Sequence, residues 1–523
     1  AFAPVVFFVD SEYMRMNKGC WVGCIGAVLV AVILVGCLPQ PAPEAPTPPS
    51  ALTERSISAP PSASTGQNAP AVAETPTDLA MLDVLSRPTM TRGYLTTPNE
   101  LTRIARLARA GVEPYKTAVA AALDYVAKIR DRESLSVPDT IDIESGNSDD
   151  PAYLHLGAKY VYAWAVAYNL LKESESDRAQ QYAQAAYDMV MEMPRRNTQV
   201  SGYQQNTRLN ISIHIQNWVY AADLLSDWPV PASGTPFARS DDAQKLKTWL
   251  GAVIIRYPYN AAHIRVNNWG AWGRLTTAVI ADYVGDAAPL YVQQVVKDAR
   301  GAYQVVPDKP CDADGVKTCV TVDAGAMYAD TIRLHFDVVD GKMYELSAGS
   351  CDSSGSKSMI RADGGIPDEL RRQFTCDVTD IADPDGPAAH YSLFANDAMV
   401  SLAELAWRRG DPSLYTHIDA ATGRGALDRS TKFLLDNDIK FTRGSMLELV
   451  NRFYTYQSGV EQDAARLKDY RELLSMDLPG FLKRQDDWPE DAGWISFGTL
   501  THGFAAAETL RPPPTVAPRK AAG

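Results

Sequence analysis

The sequence predicts a mainly α-helical domain, a toroid or bundle of antiparallel helical hairpins with a small irregular and β-containing insertion. Three observations point there. From Thr97 onward the apolar residues recur with the helical period. Glycines close two similar helix ends, Tyr283-Val284-Gly285-Asp286 and Arg409-Gly410-Asp411, each followed within a few residues by a Leu-Tyr pair, Leu290-Tyr291 and Leu414-Tyr415. Strand-like runs are few, chiefly Val320–Asp323 and the stretch around His335–Leu346.

Taken in order, Thr97-Pro98-Asn99-Glu100 supplies an N-cap, a proline at the first helical position and a glutamate at the third, a capping box, with Leu101, Ile104, Leu107 and Ala108 on one face. Between 175 and 193, Tyr182, Ala185, Ala186, Met189, Val190 and Met193 form a second stripe. Further helices are expected over 115–129, 155–172, 211–226, 242–256, 268–284, 291–304, 392–409, 426–435, 444–455 and 461–474. Short connections make neighbouring helices antiparallel. The stretch 305–388 is rich in Gly and Asp and reads as the insertion, projecting near the site.

Composition bounds the rest. The chain has 523 residues, 46% apolar and 22% charged, which is globular and excludes wholesale disorder and a multi-span membrane protein. A net charge of -13, from 63 acidic and 50 basic residues, argues against non-specific nucleic-acid binding, which needs a basic excess. An anionic sugar polymer remains a possible substrate, because a local basic cleft can oppose the global sign.

The N-terminal region reads as an address. Residues 1–13 precede the first methionine, Met14, and read as upstream of the start. The apolar run 20–36, preceded by Arg15 and Lys18, fits a secretory signal and is short for a span of about 20 residues. Leu34-Val35-Gly36-Cys37 resembles a bacterial lipobox, which makes Cys37 the expected lipid anchor and the protein an extracytoplasmic lipoprotein. Residues 37–78 hold ten of the 34 prolines and almost no bulky apolar residue, so they read as a disordered stalk. The folded domain is then expected over 79–511, with a disordered tail over 512–523. Cys311, Cys319, Cys351 and Cys376 are even in number and suit two disulfides in an oxidising compartment; their spacing lacks the close pair of a zinc site.

No G-x-S-x-G elbow, H-E-x-x-H pair or P-loop occurs, and the seven histidines are dispersed, so no metal or cofactor is implied. Three segments stand out: His263-Ile264-Arg265-Val266-Asn267-Asn268-Trp269-Gly270-Ala271-Trp272-Gly273, then Asp363-Gly364-Gly365-Ile366-Pro367-Asp368-Glu369-Leu370-Arg371-Arg372, then His390-Tyr391-Ser392-Leu393-Phe394-Ala395. Together, and in this order, they resemble the motifs of the alginate lyase family of polysaccharide lyases, over roughly residues 95–510. Trp269 stands where the alginate-specific subgroup carries a histidine. The resemblance implies an (α/α) toroid that cleaves a uronic-acid polymer by β-elimination with no obligatory metal. It implies Tyr391 as base and acid, Arg372 as the arginine closing the second motif, and Asn268 as the amide on the substrate carboxylate.

Elimination requires loss of the proton beside an ionised carboxylate, which disfavours a carbanion unless donors neutralise it. A free tyrosine titrates near 10 and needs cationic neighbours, for which Arg371, Arg372 and His390 are the local candidates. His214 is a second proton-transfer candidate. Asn267, Arg265, Trp269, Trp272, Tyr203 and Trp218 are candidates for lining a sugar cleft. Two other readings stay open: a glycoside hydrolase using carboxylates among Asp363, Asp368 and Glu369, and a non-catalytic glycan-binding lipoprotein.

Overall fold

The structure, a computed structural model, describes residues 93–112, 115–130, 135–143, 149–202, 205–262, 266–285, 290–293, 319–336, 360–370, 381, 383–384, 386–418, 422–437, 448–450, 453 and 498–502. The chain divides into two compact units, Ala1–Val72 and Ala73–Gly523, and every described residue lies in the second. Within it the fold is mainly helical, as the periodicity predicts.

Helix α1 (Pro98–Arg109) begins as expected: the Thr97 side chain accepts from the Glu100 backbone N–H at 3.1 Å, and Pro98 occupies the first turn. The Glu100 carboxylate, however, accepts from Arg408, 3.1 Å away, which ties the start of this helix to a distant one. Next come α2 (Tyr115–Arg130), α3 (Asp149–Leu171) and α4 (Ser176–Arg196). The turn between α3 and α4 forces a hairpin, and the Tyr153 hydroxyl near the start of α3 donates to Glu192 near the end of α4 at 3.5 Å. The pair is therefore antiparallel. The stripe predicted on α4 is buried at Tyr182, Ala186, Met189, Val190 and Met193, and the helix stops at Asn197 in the left-handed region.

The expected helix 211–226 is two helices, α5 (Gln205–His214) and α6 (Gln216–Leu224). Then follow α7 (Asp241–Trp249), capped by Ser240 and continued by a π-helical turn Leu250–Ile254, and α8 (Arg256–Ala262). Helix α9 (Asn268–Val284) has the bounds the sequence predicts. Farther on come α10 (Ala324–Thr331), the short α11 (Pro367–Leu370), α12 (Pro387–Arg408), α13 (Ser413–Thr416), α14 (Ala426–Asp436) and α15 (Gly498–His502). Helix α12 starts five residues before the expected 392, because Gly386 precedes a proline at its first position.

Contacts along these helices give their directions. His155 packs on His214, and Asn169 donates to the Leu224 carbonyl at 2.9 Å, so α3 and α5–α6 run parallel. Thr276 donates to the Ser212 carbonyl and to Gln216, while Asp223 and Asp282 face one cleft, so α5–α6 and α9 run parallel. The Trp272 indole N–H donates to the Phe394 carbonyl at 3.1 Å, and Arg409 holds Asp282 at 2.6 and 2.7 Å, so α9 and α12 run parallel too. Tyr187 bonds Asp242, and Trp249 donates to the Thr198 carbonyl at 2.9 Å, which aligns α4 with α7. One set of helices thus runs one way and a second set the other, the alternation that stacked helical hairpins produce.

Two expectations fail at the β-prone segments. Residues 291–304 read as helix, but Leu290–Gln293 is strand β3, antiparallel to β4 (Cys319–Val322) in register Leu290↔Val322. A β-branched and aromatic run with a partner strand overrides a weak helical pattern; 294–304 lie outside the described residues. In the stretch expected as strand around His335–Leu346, His335 and Phe336 belong to a π-helical turn, Ile332–Phe336, that continues α10, and 337–346 lie outside the described residues. The described parts of 305–388 also belong to the core, with Met327, Tyr328, Leu334, Phe336 and Leu370 buried. A further pair, β1 (Thr140–Ile141) and β2 (Gln199–Val200), is parallel. The helix expected at 461–474 lies outside the described residues, as does most of 444–455.

Arg408 carries no exposed surface and bonds the Glu404 carboxylate at 2.8 Å, Glu100, and the Leu95 carbonyl at 3.0 Å. Removing it strands buried carboxylate charge. Arg408→Met is therefore expected to lower the unfolding free energy by about 3–5 kcal/mol, read from urea denaturation.

Candidate active site

Two of the three motifs meet at the N-terminus of α9. Asn267 is the N-cap, its side chain accepting from the Trp269 N–H at 3.2 Å. Asn268 is free of capping duty and does something else. Its backbone N–H donates to Glu369, and its Nδ2 donates to both carboxylate oxygens, at 2.9 and 3.0 Å. Both side chains are fully buried. A carboxylate accepts only, so it fixes which end of the amide faces it. Asn268 Oδ1 is turned away and accepts no hydrogen bond among the described residues. Glu369 also lies at the positive end of α9, where helix N–H groups lack partners.

The second motif is built to deliver that carboxylate. Gly364 has φ +103°, and a Cβ there would lie 2.0 Å from the Arg429 carbonyl oxygen, so glycine is required by both conformation and space. Asp363 accepts from the Gly365 N–H at 3.0 Å and pairs with Arg361. Arg429, buried in α14, donates to the Arg361, Arg424 and Ile360 carbonyls and pins the loop from behind. Pro367 then starts α11, and Glu369 lies two residues on.

The third motif lies on α12 and makes a firm contact with α9. Phe394 accepts from Trp272, and the two rings are 5.1 Å apart. One helical turn before this contact lie Asn268 on α9 and His390 with Tyr391 on α12. His390 is exposed, stacked on Phe394 and edge-on to Tyr391; Tyr391 and Trp269 are half-buried. All belong to the N-terminal ends of parallel helices, and helical side chains lean back toward that end.

Other expected site residues are placed elsewhere. Trp272 has no exposed surface and spends its N–H on Phe394, so it joins two helices instead of stacking on sugar. Trp218 is also fully buried, donating to the Met189 carbonyl at 3.2 Å, with Gly157 against its ring. Asn267 is a buried cap. His214 is buried against His155, near the level of Thr276, which is eight residues or about 12 Å of helix beyond Asn268. Burial, His155 and Lys159 hold its imidazole well below the usual range, so it is neutral at pH 7. That depth makes it a core histidine. Arg371, Arg372, Arg265, Tyr203, Cys37, Cys311, Cys351 and Cys376 lie outside the described residues; Cys319 opens β4.

Glu369 is the candidate residue that a reading of single residues passes over. It was legible only as one of three acids in the second motif. Its carboxylate is held by Asn268, Asp363 is exposed and paired with Arg361, and Asp368 is fully buried. Among the described residues no cluster of His, Cys, Asp or Glu could hold a metal ion, and no helix is long and apolar enough to cross a membrane.

Residues 349–439 match the family model described as Alginate lyase, a segment that contains the second and third motifs. The resemblance drawn from those motifs is thereby borne out over that segment. Among solved structures, the chain is similar to an alginate lyase from Bacteroides ovatus, with 13% identity, a TM-score of 0.42, and coverage of 79% of this chain and 99% of that one. No curated protein matches it.

His214 and His335 are both held below the usual imidazole range by burial, with Arg274 adding to the effect at His335. The unfolded chain binds these protons near 6.5, so stability is lost as pH falls below that value. Asp223, raised to about 6, acts in the opposite direction. His214→Gln should therefore flatten the stability slope below pH 6.5, by at most about 1.4 kcal/mol per pH unit, read from urea midpoints.

Proposed function

We propose that the protein is a polysaccharide lyase that cleaves a uronic-acid polymer by β-elimination on a closed toroid of helical hairpins. The observation that carries this reading is the amide of Asn268, locked by Glu369 beside the helix that bears Tyr391. The family match over 349–439 supports the reaction class.

The chemistry follows from the groups. An oxygen acceptor recognises the protonated form of a uronate, so Asn268 Oδ1 holds the substrate carboxyl as the neutral acid. A neutral carboxyl beside C5 accepts negative charge that an ionised one would repel. Tyr391, as phenolate, takes the C5 proton; the C5–H electron pair forms the C4–C5 double bond, and the C4–O bond breaks. The tyrosine then returns its proton to the leaving oxygen. His390, Arg371 and Arg372 are the cationic groups that favour the phenolate. Trp269 offers a half-buried ring for a sugar face. In the same reading the chain is exported, lipidated at Cys37, and stapled by disulfides among Cys311, Cys319, Cys351 and Cys376.

The test is a panel of uronate polymers followed by ultraviolet absorbance, because elimination creates a conjugated double bond and hydrolysis does not. Absorbance should rise with at least one polymer. Tyr391→Phe should cut the rate by roughly 100-fold or more, within the range general acid–base groups supply. New reducing ends without absorbance would establish a hydrolase, and binding without cleavage a carbohydrate-binding lipoprotein.

A further inference from the structure

A cleft of about 280 Å³ opens at the other end of the parallel helices, lined by Tyr94, Asp223, Lys247, Asp282, Tyr283 and Arg409 among others. Asn268 and Asp282 are fourteen residues apart on α9, about 21 Å of helix, so this cleft is distinct from the candidate active site. Its charges are not equivalent. Asp282 is closed off, accepting from Arg409 at 2.6 and 2.7 Å and from the Tyr94 hydroxyl at 3.1 Å. Arg409 also donates to the Gly93 carbonyl. Half-buried Asp223 has no side-chain hydrogen bond among the described residues, and burial pushes its carboxyl up to about 6, with Arg409 pulling back. Lys247 lies 5.4 Å from the centroid of the Tyr283 ring and has no ion-pair partner among the described residues. Among the charged groups of the lining, two are thus left for a ligand: one carboxylate acceptor and one ammonium donor.

Helices α6, α9 and α12 end here, at Leu224, Val284 and Arg408, and helix C-termini favour hydrogen-bond donors. A ligand must therefore bring donors for Asp223 and an anion for Lys247. The volume is at the low end for ligand sites, enough for one ring and too small for a chain.

We propose that this cleft is a second carbohydrate site that takes a single hexuronate unit, its adjacent hydroxyls donating to Asp223 and its carboxylate pairing with Lys247. The choice of a uronate over other hydroxy acids rests on the elimination reading; the cleft and its two open groups do not. Such a site holds polymer about 20 Å from the point of cleavage, and raises the local concentration of chain ends.

The experiment is calorimetric titration of the full chain with sodium glucuronate, with glucose as the neutral arm. Millimolar binding is expected for glucuronate and at least tenfold weaker binding for glucose. Asp223→Asn and Lys247→Met should each weaken glucuronate at least tenfold, with circular dichroism unchanged, while Tyr391→Phe leaves the affinity alone. Both variants should keep the wild-type turnover number on polyuronate. Absent binding, affinity unaltered in both variants, or glucose binding as tightly as glucuronate overturns the proposal. Turnover of polyuronate together with unaltered variants defeats the second site alone. Binding that depends on Asp223 and Lys247, without turnover of any polymer, defeats the elimination reading alone.

Discussion

The buried bond set between Glu369 and Asn268 is the constraint on which the candidate site depends. A carboxylate withdrawn from water is costly unless its lone pairs are met. Here three N–H contacts from one residue meet it, at the positive end of a seventeen-residue helix. The result is an amide that cannot rotate. Its nitrogen faces the carboxylate and its oxygen faces away, so the clamp determines whether the site presents a donor or an acceptor. In the proposed reaction that acceptor selects the acid form of a sugar carboxyl, the form from which the adjacent proton can be lost.

The rest of the fold supplies the platform. Parallel helices α3, α5–α6, α9 and α12 bring their N-termini to one end and their C-termini to the other, and the two ends acquire opposite chemistry. At the N-terminal end, helix N–H groups favour negative charge and the clamp adds an amide-oxygen acceptor; at the C-terminal end, carbonyls and Asp223 favour donors. Buried pairs fasten the helices at both levels: Trp272 to Phe394 near one end, Arg409 to Asp282 and Arg408 to Glu100 near the other. Side chains that look like sugar platforms in the sequence, Trp218 and Trp272, are spent on this fastening.

Much of this was legible beforehand. The cap at Thr97, the bounds of α9 and the stripe on α4 follow from local patterns that tertiary structure leaves intact. The three motifs were visible because their glycine, proline and asparagine positions have local conformational work to do, at the loop before α11 and at the starts of α9 and α11. Other features were not legible. Leu290–Gln293 becomes strand only because a partner lies near residue 320, and no local pattern encodes a partner. Whether an indole is core or cleft depends on packing from three or four elements, so spacing could not separate Trp218 and Trp272 from Trp269. The role of Glu369 was hidden for the same reason, since its partner is a hundred residues earlier in the chain.

The most direct test of the central claim is a double-mutant cycle on elimination rate with Glu369→Gln, Asn268→Ala and the pair together. If the carboxylate acts only by holding the amide, the double variant will be no slower than Asn268→Ala alone, and the coupling will equal the whole effect of Glu369→Gln. Losses that simply multiply, or a Glu369→Gln enzyme with the wild-type rate, would contradict the account.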